Sequence, residues 1–210
     1  HTRLRTVTGV QTCALPIYGR LVAPLPPPVP PPPSSVHLRL DPGRLAVPAP
    51  ATPGLLLHVI DLVPRQIVTR HLTVPPLIHQ GQVVPDLDRD LLKLVVVERH
   101  RATGNTAVGF VRGFRLRHGA LASSVAHDAH NIVAVGTNDA DILAAIRAVE
   151  KLQGGLVAVA GETVQAALPL PIAGLVSDQP LDQVQANLDR LNAAARALGC
   201  PLDAPFMTLS

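Results

Sequence analysis

The ten residues from Pro24 to Pro33 include eight prolines, with Leu25 and Val29 between them. Each proline fixes its own φ and drives the preceding residue out of the helical region, so the stretch is extended and reads as polyproline II. Helix and central strand are both excluded there. Such a run serves as a stiff linker or surface crossing, or as a ligand for an SH3 or WW domain. Of the 22 prolines, 12 fall between Pro24 and Pro53. The expectation is a proline-rich linker over residues 19–54 and a packed domain over residues 55–210.

Residues 1–18 are expected to stand apart from that domain, as artefact or as a disordered tail. Val7-Thr8-Gly9-Val10-Gln11-Thr12-Cys13-Ala14-Leu15-Pro16-Ile17 resembles the conceptual translation of a short-read sequencing adapter. A stretch of that origin is left out of fold reasoning, and Cys13 with it. The first residues show no initiator Met and no apolar stretch leading to a cleavage site, so no signal peptide is read.

Charge and cysteine content narrow the function classes. Residues 1–60 and 61–120 are each +4 and residues 121–210 are −5. Nucleic-acid binders cluster Lys and Arg with aromatics for stacking, whereas one Tyr and three Phe are spread over this whole chain. No nucleic acid is expected as a partner. No window approaches the roughly 18 uninterrupted apolar residues of a spanning helix, and no membrane is expected either. Cys13 and Cys200 form neither a disulfide framework nor a zinc spacing, so a reducing, cytoplasmic setting is the expectation.

From Leu55 the texture changes to short β-branched runs. Leu55–Asp61, Gln66–Val74, Leu77–Val84 and Leu91–Glu98 have strand length and composition, with breaks such as Val63-Pro64, Pro75-Pro76 and Gln80-Gly81. The nearly all-apolar run Leu91–Val97 reads as a central strand buried on both faces. Further on, Asn131–Gly136 and Leu156–Ala160 are strand-like. Between them Ile142, Ile146 and Val149 mark an amphipathic helix, capped by Thr137 or Asn138 and ended by Gly154-Gly155. A second helix places Leu181, Val184, Leu188, Leu191, Ala195 and Leu198 on one face, with Gly199 and Pro201 as its stop. Both helices are expected to pack on the sheet. The fold class is therefore an α/β (α+β) layered domain, a mixed β-sheet with helices packed on it, preceded by an extended proline-rich segment.

Three segments carry chemistry. In Ser123-Ser124-Val125-Ala126-His127-Asp128-Ala129-His130-Asn131, two His three apart with an Asp between converge on an ion only if the backbone turns. HExxH and a third suitably spaced His are lacking, so the residues fit hydrogen-bonded turn positions better than metal ligands. In Glu98-Arg99-His100-Arg101-Ala102-Thr103-Gly104-Asn105, polar groups follow the carboxyl end of a buried strand. Open sheets place ligands there, although a plain charged turn has the same composition. Leu168–Leu175 reads as a buried crossover.

Together these segments, with Gly113-Phe114, Gly119-Ala120, Val135–Asp139, Gly154-Gly155-Leu156, Leu168–Gly174, Ser177-Asp178 and Gly199–Ser210, resemble the carboxyl-terminal region of the bacterial and archaeal adenine deaminases of the amidohydrolase superfamily. The resemblance implies purine salvage by hydrolysis of adenine to hypoxanthine and ammonia. It also implies a dinuclear manganese or iron centre in a (β/α)₈ barrel that activates water. No barrel is expected in this chain: it has no His-x-His pair, and 210 residues do not hold a barrel of roughly 250 as well as this domain. The reading is a fragment of the enzyme, cut at both ends, with the cut at Ser210 expected to leave a strand unpaired and an apolar edge exposed, binding no metal itself and inactive alone. In the intact enzyme, where a homo-oligomer is also compatible with the family, Glu98, His100, Asn105, His127, Asp128, His130 and Asn131 are expected to line the adenine pocket. The alternative is a non-enzymatic α/β interaction module with a proline-rich arm.

Overall fold

The computed structural model describes residues 36–210 and two short strands before them, β1 (Pro16–Ile17) and β2 (Arg20–Leu21), paired antiparallel with each other. Apart from these, the expectations for the adapter-like stretch, the polyproline run at 24–33 and the linker up to residue 35 lie outside the described residues.

The main body is built on the strand predicted to be central. β7 (Leu92–Val97) has its even and odd residues pointing into two different cores. Leu92 packs below the sheet with Leu121, Val133 and Val135, while Val95 and Val97 pack above it with Ala122, Ile132 and Ala134. That alternation is the two-residue period of a strand buried on both faces. β7 lies between β10 (Ile132–Gly136) and β8 (Thr106–Arg112), antiparallel to both. Outward from β10 come β9 (Ala120–Ser123), β11 (Gly155–Ala160) and β12 (Thr163–Pro169); outward from β8 come β3 (Leu57–Leu62) and β4 (Thr69–Val74). Every neighbouring pair in this eight-stranded sheet is antiparallel except β3 with β8, which is parallel. The mixed sheet expected from the sequence is therefore present.

Helices cover both faces. α1 (Asp139–Lys151) buries Ile142, Ala145, Ile146 and Val149 on the upper face. Asn138 caps it, accepting the Asp141 amide at 2.8 Å. α2 (Leu181–Ala197) and the short α3 (Pro205–Leu209) cover the lower face through Leu191, Ala195, Phe206 and Leu209. The arrangement is a three-layered α+β domain. Among the described residues no helix is long and apolar enough to cross a membrane.

The chain joins this body earlier than Leu55. Val36 and Leu45 are buried in the upper core, Val47 and Ala49 hydrogen-bond to Val83 and Gly81, and the turn Pro42–Leu45 is capped by Asp41. Those two hydrogen bonds flank Pro48, which pairs with Gln82 as an isolated antiparallel bridge that does not call on the N–H proline lacks, so this irregular segment is held without being a strand.

Several local expectations are corrected. Leu77–Val84 is not one strand but a hairpin of β5 (Leu77–His79) and β6 (Gln82–Val84), because Gln80 and Gly81 both adopt positive φ. Leu168–Leu175 is not a crossover: its first residues finish β12, and the rest turn tightly between Ile172 and Val176. The last described residues form α3, with Phe206 and Leu209 buried. The first turn of α2 stands off the sheet, leaving Leu181 82% exposed.

Candidate functional site

β7 and β10 run antiparallel with Val97 opposite Ile132, so the end of one and the start of the other meet at the same edge of the sheet. The two polar segments singled out in the sequence, 98–105 and 123–131, therefore become neighbours. Glu98, Asn105 and Asn131 line one open pocket of about 340 Å³ together with Arg44, Val96, Thr106 and Ala107.

Glu98 organises its own loop. Its carboxylate accepts the amides of His100 at 2.5 Å, Arg101 at 2.7 Å and Thr103 at 3.0 Å, and the Thr103 hydroxyl at 2.9 Å. Partial burial raises the pKa of this carboxyl, but the donated hydrogen bonds outweigh it and hold the value down to about 2. Glu98 is thus an anion at neutral pH with its lone pairs engaged by the loop, which suits it to shaping a pocket rather than to accepting a proton.

The next residue anchors the site from beneath. Arg99 is 1% exposed; its Nε donates to the His130 carbonyl and its Nη2 donates to the Ala173 carbonyl at 3.1 Å. Burial lowers its pKa, and the carbonyl dipoles facing it offset part of that desolvation. Ser124 makes the parallel link, donating to the Gly174 carbonyl at 2.6 Å and accepting the Gly155 amide at 2.8 Å. Gly174 leaves room for the guanidinium: a Cβ there would stand 2.7 Å from Arg99 Nη1. One buried node thus fastens the ends of β7, β9 and β11 to the turn after β12.

The expected site residues divide into three sets. Glu98, Asn105 and Asn131 are brought together in the pocket. His100 and His130 are not among the residues that line it but join the neighbouring loops: His100 Nε2 lies 2.9 Å from the Ala129 carbonyl, and the His130 amide donates to the Ala126 carbonyl at 2.7 Å. His127 and Asp128 sit on the exposed turn between them, with Asp128 and His130 in left-handed backbone. Two buried polar atoms here, His130 Nδ1 and Asn131 Oδ1, have no hydrogen-bond partner among the described residues. Arg99 and Ser124 were quoted in the sequence segments without a role, and Arg44 was not singled out at all. An arginine reads as a surface residue until the fold encloses it.

The described residues contain no group of three or more His, Cys, Asp or Glu able to hold a metal ion.

A family model described as "Adenine deaminase C-terminal domain" matches residues 66–210. Among curated proteins, the chain is 47% identical over 178 residues to an adenine deaminase of Dehalococcoides mccartyi, which covers 84% of the chain and 31% of that protein. It is 46% identical over 190 residues to an adenine deaminase of Desulfatibacillum aliphaticivorans, 90% of the chain and 33% of the relative. A third, from Desulforamulus reducens, is 52% identical over 154 residues, 73% of the chain and 26% of the relative. The chain thus spans about a third of the length of the first two.

Proposed function

The chain belongs to the adenine deaminase C-terminal domain family, and from that premise we propose that it closes the purine pocket of an enzyme that hydrolyses adenine to hypoxanthine and ammonia. In the overall reaction water replaces the exocyclic amine: the C6–N bond breaks, a C6–O bond forms, and the amine leaves as ammonia.

The single observation that carries the reading is the pocket at the end of β7, which Asn105 and Asn131 line together beside the ordered Glu98 loop. Carboxamides of Asn match the adjacent donor and acceptor of an adenine edge. Glu98 keeps the 100–103 loop in place, His100 and His130 join the neighbouring loops, and His127 and Asp128 on the outer turn meet the rest of the enzyme. Closing such a mouth excludes water from the reacting ring.

The family resemblance calls for a dinuclear manganese or iron centre, and the described residues do not fit one. In this proposal the metal and its ligands belong to the barrel of the intact enzyme, and no step is assigned to them here.

The test has two arms. Purified chain supplied with Mn²⁺ and adenine is expected to release no ammonia. In a full-length relative, alanine at the positions matching Asn105, Asn131, His127 and His130 is expected to lower kcat/KM, by about tenfold for each Asn. Unchanged kcat/KM in all four variants would remove the pocket from the reaction.

A further inference from the structure

The opposite end of β7 carries a different kind of site. At about 3.3 Å per residue, the six residues of β7 put it about 20 Å from the candidate pocket. There two open grooves of about 780 and 680 Å³ share Asp90, Arg115 and Pro201 in their walls. Arg89 and Arg117 complete the cationic lining of the first; Arg65, Arg70 and Arg112 that of the second. The arginines come from β4, β8 and three separate turns, so they converge through the fold rather than through a run in the sequence.

Two of the four acids in these walls, Asp61 and Asp90, are already engaged, and Asp88 and Asp203 stand with them against six arginines. Asp61 receives Arg112 Nε at 2.8 Å and Arg70 Nε at 3.4 Å. Asp90 accepts the backbone amides of Gly113 and Arg115, each at 2.7 Å. Arg112 and Arg70 meet Asp61 through Nε, while the guanidinium groups of Arg65, Arg115 and Arg117 have no hydrogen-bond or ion-pair partner among the described residues. Arg65 and Arg115 both stand on left-handed backbone, φ 60° and 54°, a conformation uncommon outside glycine. In Arg115 that turn is pinned by Asp90.

We propose that this arginine-lined groove binds a phosphoryl anion, either a free phosphate or diphosphate or the phosphate of a nucleotide. A guanidinium offers two parallel N–H donors, and several converging from different directions match a group with three or more charged oxygens. A single carboxylate would satisfy one fork and leave the others unanswered. The groove also lies apart from the candidate pocket, so binding there is separable from handling of adenine.

The test is titration of the full 210-residue chain with pyrophosphate, AMP and adenosine in turn, followed by amide chemical shifts and calorimetry. Saturable pyrophosphate binding is expected, with shifts at Gly113, Arg115 and their neighbours. Arg65→Glu and Arg115→Glu are each expected to weaken it about tenfold or more, and Arg147→Glu, on the exposed surface of α1, by no more than about twofold. Neither groove variant removes a described side-chain contact, and a native amide spectrum confirms folding; if one does not fold, Arg117→Glu replaces it. AMP binding more tightly than pyrophosphate identifies a nucleotide as the source, and equal affinity identifies the phosphoryl group alone. No saturable binding up to about 10 mM pyrophosphate, equal weakening by Arg147→Glu, or adenosine matching AMP would each overturn the proposal.

Discussion

Lys93 Nζ stands 2.5 Å from Asp139 Oδ1 and 2.8 Å from the Leu45 carbonyl, tying the central strand, the first turn of α1 and the segment before β3 at one point. The lysine side chain is 3% exposed and the aspartate 39%. This asymmetry decides which partner can be lost more cheaply. Asp139→Ala strands a buried ammonium and is expected to cost about 3 kcal/mol, whereas Lys93→Met leaves a carboxylate that water reaches and is expected to cost about 1 kcal/mol. Urea unfolding midpoints of the two variants check the order; the reverse order would mean that Asp139 contributes little to holding the lysine.

Arg99→Met keeps the volume of the side chain but leaves the His130 and Ala173 carbonyls without their donor. The expected cost is about 2–4 kcal/mol, a buried donor lost to two part-buried acceptors. Hydrogen exchange is expected to accelerate at residues 126–131 and 170–176 more than in β7 itself. Uniform acceleration across the domain would show that the arginine stabilises the whole body rather than this node.

The Glu98 loop gives a pH dependence. The carboxyl has a pKa of about 2 when folded, against 4.5 for the ordinary group. A depressed folded-state pKa favours the folded loop fully above about 4.5, and the benefit is lost as pH falls toward 2. Amides of His100, Arg101 and Thr103 are expected to lose protection in that window, and Glu98→Gln to abolish the transition. Protection that persists to pH 2 with no change at these three amides would contradict the assignment.

Gly155 has φ +148°, and a Cβ there would lie 2.3 Å from the Leu168 carbonyl oxygen. The obstructing atom is backbone on the paired strand β12, so no side-chain rotation relieves the contact. Gly155→Ala is expected to destabilise the domain by more than about 3 kcal/mol. A loss below about 1 kcal/mol, by the same urea measurement, would show that β11 and β12 separate easily at this point.

Legibility in the sequence followed the strength of the local pattern. α1 was visible because Ile142, Ile146 and Val149 lie on one helical face, and β7 because its run is apolar at both alternating phases. β9 was missed: Ala120-Leu121-Ala122-Ser123 is short and built of small residues, and its strand character comes from burial between β10 and β11. β12 was missed because it is an edge strand with three exposed residues at its start and a proline at its end. For the candidate site, the polar cluster after β7 was legible. Its meeting with Asn131 was not, because it depends on the pairing of Val97 with Ile132, a contact between residues far apart in the chain. Burial of Arg99 was invisible for the same reason.

The parallel pairing of β3 with β8 carries a last consequence. Within the sheet, the β3–β4 hairpin is joined to the other six strands through three register positions: Val59 with Phe110, Ile60 with Val111, and Asp61 with Arg112. That seam is the natural boundary of a separate cooperative unit, able to open while the remaining strands stay folded. Opening it lays bare the flank of β8, a row of unpaired amides and carbonyls that a second chain can extend. Association through that flank would require only a partial opening of this seam, well short of global unfolding.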